Sequence, residues 1–397
     1  MGSPLSTFTD FVNATGPTFL TSADDVINEA AKQSYILARF LKGADGSKTI
    51  QGGSTIKDQV MFDESNTAEY YEPNSTFTWQ NPQTLTEWEI RWRFLVDHMS
   101  WTDQEVELQG LSNYSREARH QVYKRLKRHK EQRVWTSLIN KMEDQLWRVP
   151  VAADMEASTG KQPYSIPAFV NEQADGLFHK TATGGGTAWT VVEGINPVTE
   201  TKWVPATETY SSAAVTTGAR NIIAAFDDMH QAVRFISPST KEQYFEDTKL
   251  FTQFIACSKR GISIYQTLLR DYQDTFVTQS RQDPAYMTPQ YAGIDLMYAT
   301  GLDAAKLYQH ETASLALQDE IEAAGTGEAN GPRYYWLNGS YLCPVFHVQR
   351  YMYKHMSMRH PNQPFTTIVP IDCWMNLACR SRQRLGLVSP TGDPYVA

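Results

Sequence analysis

The run Glu87-Trp88-Glu89-Ile90-Arg91-Trp92-Arg93-Phe94 alternates charged and large apolar residues without a break. A strand turns successive side chains to opposite faces. Trp88, Ile90, Trp92 and Phe94 are therefore expected on one face, with Glu87, Glu89, Arg91 and Arg93 on the other. Thr76-Phe77-Thr78-Trp79-Gln80 repeats the pattern upstream, and Asn81-Pro82-Gln83 between the two runs is a turn signal. The spacing predicts a β-hairpin carrying Phe77, Trp79, Trp88, Trp92 and Phe94 on one side. A hairpin that apolar on one face is marginal alone and needs a second surface to cover it, from the same chain or from a neighbour.

A chain of 397 residues has room for two or more folded units with substantial cores. Ten Trp and twenty Tyr are many for this length, and they suit either large contact surfaces or aromatic-rich cores. The net charge of −8 argues against a polyanion binder over the whole surface, so any basic surface must be local. Met1-Gly2-Ser3-Pro4 opens no basic region followed by an apolar run, so no signal peptide is expected. No segment approaches the roughly 18 consecutive apolar residues of a membrane span. Cys257, Cys343, Cys373 and Cys379 form no C-x-x-C pair and are expected as reduced, buried thiols.

Residues 1–20 read as a polar extended arm. A helix is expected from Ser22-Ala23-Asp24-Asp25 to Leu41, then a Gly-rich connector over 43–53 and a short strand over 57–64. The longest periodic pattern follows Ser115, where Ala118, Val122, Leu126, Val134, Leu138, Met142 and Leu146 recur mostly at four-residue steps, widened by Trp135 and Ile139. This predicts a helix over 116–148, about 50 Å long. Residues 150–218 read as loops and short strands, with Trp189-Thr190-Val191-Val192 the best strand. Helices are expected over 220–236 and 304–324, and helical pieces alternating with turns over 241–276. The β-rich C-terminal third predicts a hairpin across Asn338-Gly339 and strands over 345–352 and 365–369.

Catalytic and metal motifs are missing. Gly184-Gly185-Gly186 lacks the following Gly-Lys-Ser/Thr of a phosphate loop and reads as a flexible connector. His347, His355 and His360 with Cys343 have no metal-ligand spacing and are expected to be locally hydrogen-bonded or at the surface. No G-x-S-x-G is present. The acidic pairs Glu143-Asp144 and Asp227-Asp228 fall on helices, where neighbours diverge by about 100°, and are expected on solvated faces. No cofactor and no enzymatic activity are expected. The first half of the long helix is strongly basic, with Lys124, Lys127, Arg128 and Lys130 among Arg116, Arg119, Arg125 and Arg133. That face suits nucleic-acid phosphates, acidic neighbours in an assembly, or solvent.

The order of parts resembles the major capsid protein of tailed bacteriophages, a fold shared with herpesvirus shells and encapsulins. Family-like phrases are Asn113-Tyr114-Ser115-Arg116-Glu117-Ala118, Lys130-Glu131-Gln132-Arg133-Val134-Trp135-Thr136, Gln162-Pro163-Tyr164-Ser165-Ile166-Pro167 and Gly194-Ile195-Asn196-Pro197. The resemblance implies an α+β fold with an N-terminal arm (1–65), an extended β-hairpin loop (66–110) and a peripheral domain (111–214) whose spine helix is 116–148. An axial domain (215–330) and a β-rich return segment (331–397) complete it. It implies a subunit that self-assembles into hexamers and pentamers of an icosahedral head in the host cytoplasm and resides in the virion. The implied partners are the portal, scaffolding or decoration proteins where they are used, and packaged double-stranded DNA, with no membrane. Phe77, Trp79, Trp88, Arg91, Trp92 and Arg93 are then expected at subunit interfaces, and Lys124, Lys127, Arg128 and Lys130 facing DNA or a neighbour. The competing expectations are an encapsulin-like compartment and a soluble enzyme with a pocket in 150–330.

Overall fold

The computed structural model describes residues 36–42, 48–62, 70, 72, 84–104, 116–148, 152–171, 189–211, 221–234, 253–273, 289–302 and 332–390. Among the described residues four helices are longer than four residues: α1 (Ile36–Lys42), α2 (Arg116–Leu146), α3 (Ile222–Arg234) and α4 (Lys259–Gln273). The strands begin with β1 (Lys48–Ile50), β2 (Thr55–Met61), β3 (Leu85–Arg91), β4 (Arg93–Thr102) and β5 (Ala206–Tyr210). Next come β6 (Gln253–Cys257), β7 (Gln290–Tyr291), β8 (Ile294–Tyr298), β9 (Tyr334–Asn338) and β10 (Leu342–His347). The last are β11 (Tyr353–Lys354), β12 (Met358–His360), β13 (Gln363–Cys379) and β14 (Gly386–Pro390). Two compact units result, one from described residues within 94–142 and 347–374, the other from those within 34–93, 143–346 and 375–397.

The core of the second unit is a mixed sheet in the order β5-β14-β9-β6-β8-β7. Its parallel pair β6–β8 is bridged by α4, as a parallel connection requires. The 220–236 pattern appears as α3, whose Ile222, Ala225, Phe226, Met229 and Val233 are buried at helical spacing. Asn221 starts it, its Oδ1 accepting the Ala224 N–H at 2.8 Å. Phe226 sits among four rings, 5.8 Å from Tyr265, 5.3 Å from Tyr291, 4.9 Å from Tyr334 and 5.5 Å from Trp336. The strand Gln253–Cys257 was not expected, because five residues buried almost throughout show no alternation that separates strand from helix. Where turns were expected to alternate with helical pieces over 241–276, Gly261 lies inside α4. A Cβ there would meet Cys257 Cβ and Pro332 Cβ at 3.2 Å, so close packing explains the glycine.

The expected hairpin across Asn338-Gly339 is a turn but not a hairpin. Tyr341 N–H donates to Asn338 O at 3.1 Å, yet β9 pairs with β6 and β14 while β10 pairs with β1 and β13. Both strands are buried nearly end to end and take partners in different sheets instead of each other. The strand expected over 365–369 extends to Gln363–Cys379, with residues 342–346 of β10 against 375–379. Pro364 and Pro370 hid its length. Pro370 has no N–H, but its carbonyl accepts from His355 N at 3.0 Å, so the strand continues through it. The expected strand over 189–192 is instead irregular and leads into a tight turn at 192–195. Val192 and Ile195 exchange backbone bonds of 2.9 and 3.1 Å around Glu193 and Gly194, both at positive φ.

In the first unit, α2 buries Val134, Leu138 and Met142 at four-residue steps, as expected, but leaves Trp135 exposed. Lys130 Nζ donates to Ser100 O at 2.7 Å on β4, and Glu131 pairs with Lys354 of β11 at 2.9 Å. Glu143, near the end of α2, corrects an expectation. It is fully buried rather than solvated, and its carboxylate accepts the N–H groups of Ile36 and Leu37 at 3.1 and 3.0 Å. A remote carboxylate thus satisfies orphan donors at the start of α1, where the helix dipole favours negative charge. All four cysteines are buried and none is in a disulfide, and burial pushes the Cys257 and Cys379 thiols up. The expected segments 1–20, 22–35, 76–80, 183–187 and 304–324 lie outside the described residues.

Phe226→Ala should cost about 3–5 kcal/mol of stability, read by urea unfolding, because it empties the centre of the ring cluster.

Candidate assembly interface

The alternating run forms β3, but its strand partner among the described residues is β2 rather than 76–80, which lies outside them. The register runs from Thr55 opposite Arg91 to Met61 opposite Leu85. Ile56, Trp88 and Ile90 are buried beneath the pair, while Lys57, Glu87, Glu89 and Arg91 are exposed on top. Lys57 Nζ bridges Glu87 at 2.8 Å and Glu89 at 3.1 Å. These partners hold the Lys57 ammonium above its ordinary pKa, and Lys57 holds the Glu89 carboxyl below.

The alternation slips at Trp92. β3 ends at Arg91, and both Trp92 and Arg93 point inward, leaving Phe94 63% exposed. Trp92 Nε1 donates to Gly53 O at 3.1 Å. Arg93 is only 4% exposed, and its guanidinium donates to the carbonyls of Met155 (2.6 Å), Ala157 (3.0 Å) and Gly160. Burial pulls its pKa down from the ordinary arginine value. The cover for the apolar face therefore comes from within the chain. Of the residues expected at an interface, Trp88, Trp92 and Arg93 are internal, Arg91 is exposed, and Phe77 and Trp79 lie outside the described residues. The slip is invisible in the sequence, because a strand break between two charged residues leaves their spacing unchanged.

The exposed apolar residues are others. Met61 and Leu85 face each other at one end of the β2–β3 pair, 65% and 51% exposed. In the first unit Phe94, Val96, Tyr353, Met356, Met358 and Phe365 are exposed. Trp374 of β13 meets Phe94 at 4.8 Å and His347 at 5.2 Å, and the Arg350 guanidinium lies over the Trp374 and Tyr353 rings at 5.5 and 5.0 Å. Asp372 anchors that group, 3.5 Å from Arg350 and 3.2 Å from His355. The exposure of Phe94 and Phe365 carries no sequence signal, since each stands in a strand pattern that a core also produces.

On α2, Arg128 is exposed and Lys127 half-buried. Lys130 is engaged with Ser100, and Lys124 belongs to the helix with its side chain outside the description. His347 accepts from Gln349 N at 3.3 Å and His360 from Asn362 N at 3.1 Å. Among the described residues no three His, Cys, Asp or Glu side chains gather as a metal site, and no helix is long and apolar enough to cross a membrane.

No protein-family model and no curated protein matches the sequence. Solved structures do. The capsid asymmetric unit of cyanophage A-1(L) aligns over 94% of this chain and 98% of its own, at 14% identity and a TM-score of 0.52. The capsid of cyanophage P-SCSP1u aligns over 96% and 94%, at 12% identity and a TM-score of 0.46. The chain of Mycobacterium phage Bobi aligns over 97% and 99%, at 9% identity and 0.47. The chain thus has the α+β fold of a tailed-phage capsid protein, as its order of elements implied.

Arg93→Ala should lower stability by at least about 2 kcal/mol, because three buried carbonyls lose a charged donor. Arg91→Ala, on the exposed face of the same strand, should stay within about 0.5 kcal/mol. Paired thermal melts check both.

Proposed function

We propose that this chain is a structural subunit of a phage-type head, assembling into hexamers and pentamers of an icosahedral shell around double-stranded DNA. The fold match to the cyanophage A-1(L) capsid over nearly the whole of both chains is the observation that carries the reading. The division inferred from the sequence belongs to it: arm 1–65, extended loop 66–110, peripheral segment 111–214, axial segment 215–330 and return segment 331–397. In this reading Trp88, Trp92 and Arg93 stiffen the base of the extended loop from below. Phe77 and Trp79, with Met61, Leu85 and Arg91, form its outer contact with the next subunit. The portal, with scaffolding or decoration proteins where used, completes the assembly in the host cytoplasm. The basic stretch around Lys124, Lys127, Arg128 and Lys130 faces the packaged DNA or an acidic neighbour.

Exposed apolar residues on a strand pair are suited to burial between copies of one chain, where interface cores lose water. Met61→Ser with Leu85→Ser should reduce particle yield in negative-stain images while the thermal midpoint moves little. Pentamers, hexamers or hollow particles of the wild-type chain support the proposal, and a compact 45.0 kDa monomer at all concentrations overturns it. Nuclease-protected double-stranded DNA inside the particles separates a head from a protein-cargo compartment. Lys127→Glu with Arg128→Glu should lower that DNA content or weaken subunit contacts, and unchanged particles would return those residues to solvent.

A further inference from the structure

The turn at Val192–Ile195 is held by an ionisable cluster that neither the fold nor the proposed shell accounts for. Glu193 is fully buried and non-glycine at φ 55°. Its backbone N–H donates to Glu156 Oε1 at 2.9 Å and to the Tyr164 hydroxyl at 3.1 Å, and that hydroxyl donates to the same Glu156 oxygen. Its carbonyl accepts Glu89 N–H of β3 at 3.0 Å. Its side-chain Oε1 accepts Cys379 N–H, at the end of β13, at 2.9 Å. Glu193 Oε2 is buried with no hydrogen-bond partner. One residue thus ties β3 and the end of β13 to one turn.

The two carboxyls differ in how well a negative charge suits them. Glu156 accepts from Tyr164 Oη and from the N–H groups of Glu193 and Gly194, and the Arg93 guanidinium lies close enough to favour its charge. Glu193 has one donor, and its second oxygen has none. Burial disfavours charge on both carboxyls and pushes both up. A charge on Glu156 adds to the cost at Glu193, so the proton stays on the member with fewer donors. The other groups facing Glu193 are Tyr164, Cys379 and Arg382. Tyr164 and Cys379 are neutral. Arg382, whose guanidinium donates to the carbonyls of Phe169 and Trp203 at 2.9 Å each, opposes the effect but is outweighed by burial. Asp154 adds negative charge on the Arg93 side.

We propose that Glu193 holds a proton at neutral pH and that its ionisation is an alkaline release, loosening β3 and the end of β13 from the 192–195 turn. The direction of its titration agrees, since burial pushes the Glu193 carboxyl well above the usual carboxylate range. In the unfolded chain the same group ionises near its ordinary value of about 4.3. Above that pH the folded state binds the extra proton, so stability falls as pH rises until the raised value is passed. The contribution is fully present in acid and lost in alkali.

The test compares the full-length wild-type chain with Glu193→Gln, which keeps an acceptor for Cys379 N–H and cannot ionise. Between about pH 6 and about pH 9, hydrogen exchange at the Glu89 and Cys379 amides of the wild type should speed up by more than about ten-fold relative to the variant at matched pH. Equal pH dependence in the two proteins overturns the proposal. Infrared spectroscopy of the wild type supplies a readout that needs no variant: a protonated carboxylic acid band should persist at neutral pH, and its absence overturns the proposal. In Glu156→Gln the band should titrate at lower pH, because the neighbouring charge is gone. A band lost in Glu156→Gln but kept in Glu193→Gln would place the proton on Glu156 and equally overturn it.

Discussion

The buried amide of Asn376 is the interaction on which the surroundings of β3 depend. Its Nδ2 donates to Arg91 O at 2.6 Å and its Oδ1 accepts Tyr164 N–H at 2.9 Å, so one fully buried side chain joins β3, β13 and the 164–170 segment. β3 has β2 as its strand partner. Its other fixings are this amide, the Glu193 carbonyl on Glu89 and the backbone carbonyls that hold Arg93 just beyond it. Buried polar groups must be satisfied or they cost the fold, and a network that satisfies them leaves few alternative arrangements. The apolar side of β3 is sealed in consequence, since Trp88 and Ile90 can lie inward only if the strand is held at both ends.

Periodicity made much of this legible. The four-residue stripe of Val134, Leu138 and Met142 predicted α2, and Ile222 to Val233 predicted α3, because each buries one face against a core. The order of elements also pointed to the fold that the cyanophage capsid displays. Long-range polar partners were not legible. Nothing near Glu143 in sequence indicates that it receives α1 from 106 residues away, and nothing near Arg93 indicates that three carbonyls 62–67 residues on await it. Such pairs are chosen by tertiary geometry, and a charged residue carries the same local signal whether solvated or buried. β6 and the 189–192 segment failed for another reason. Short apolar runs have no period, and only their partners decide between strand and turn.

The abundance of tryptophan resolves in favour of cores. Trp88, Trp92, Trp101, Trp147, Trp189, Trp203 and Trp336 are all buried within the chain, and Trp135 is the one of large exposure among the described residues. The outward apolar surface relies on Met61, Leu85, Phe94, Val96, Met356 and Phe365 instead. Flexible methionine and single aromatics tolerate small changes in what they touch, whereas a buried indole with a hydrogen-bonded nitrogen, such as Trp92, does not. The division suits a subunit that must keep one interior while meeting unequal neighbours, which is the demand of the proposed shell.

β13 supplies residues 363–374 to one unit and 375–379 to the other, and the described chain also passes between units at 93–94, 142–143 and 346–347. Neither unit is a contiguous stretch of the polypeptide. On the ribosome, α2 and β4 emerge more than two hundred residues before the strand that pairs with β4. The pairing edge of β4 must wait for it, and pairing over such separations is slow and exposed to aggregation. The arrival of β13 therefore sets when either unit can close. A nascent chain stalled before it carries open sheets that any sister chain on the same polysome can reach.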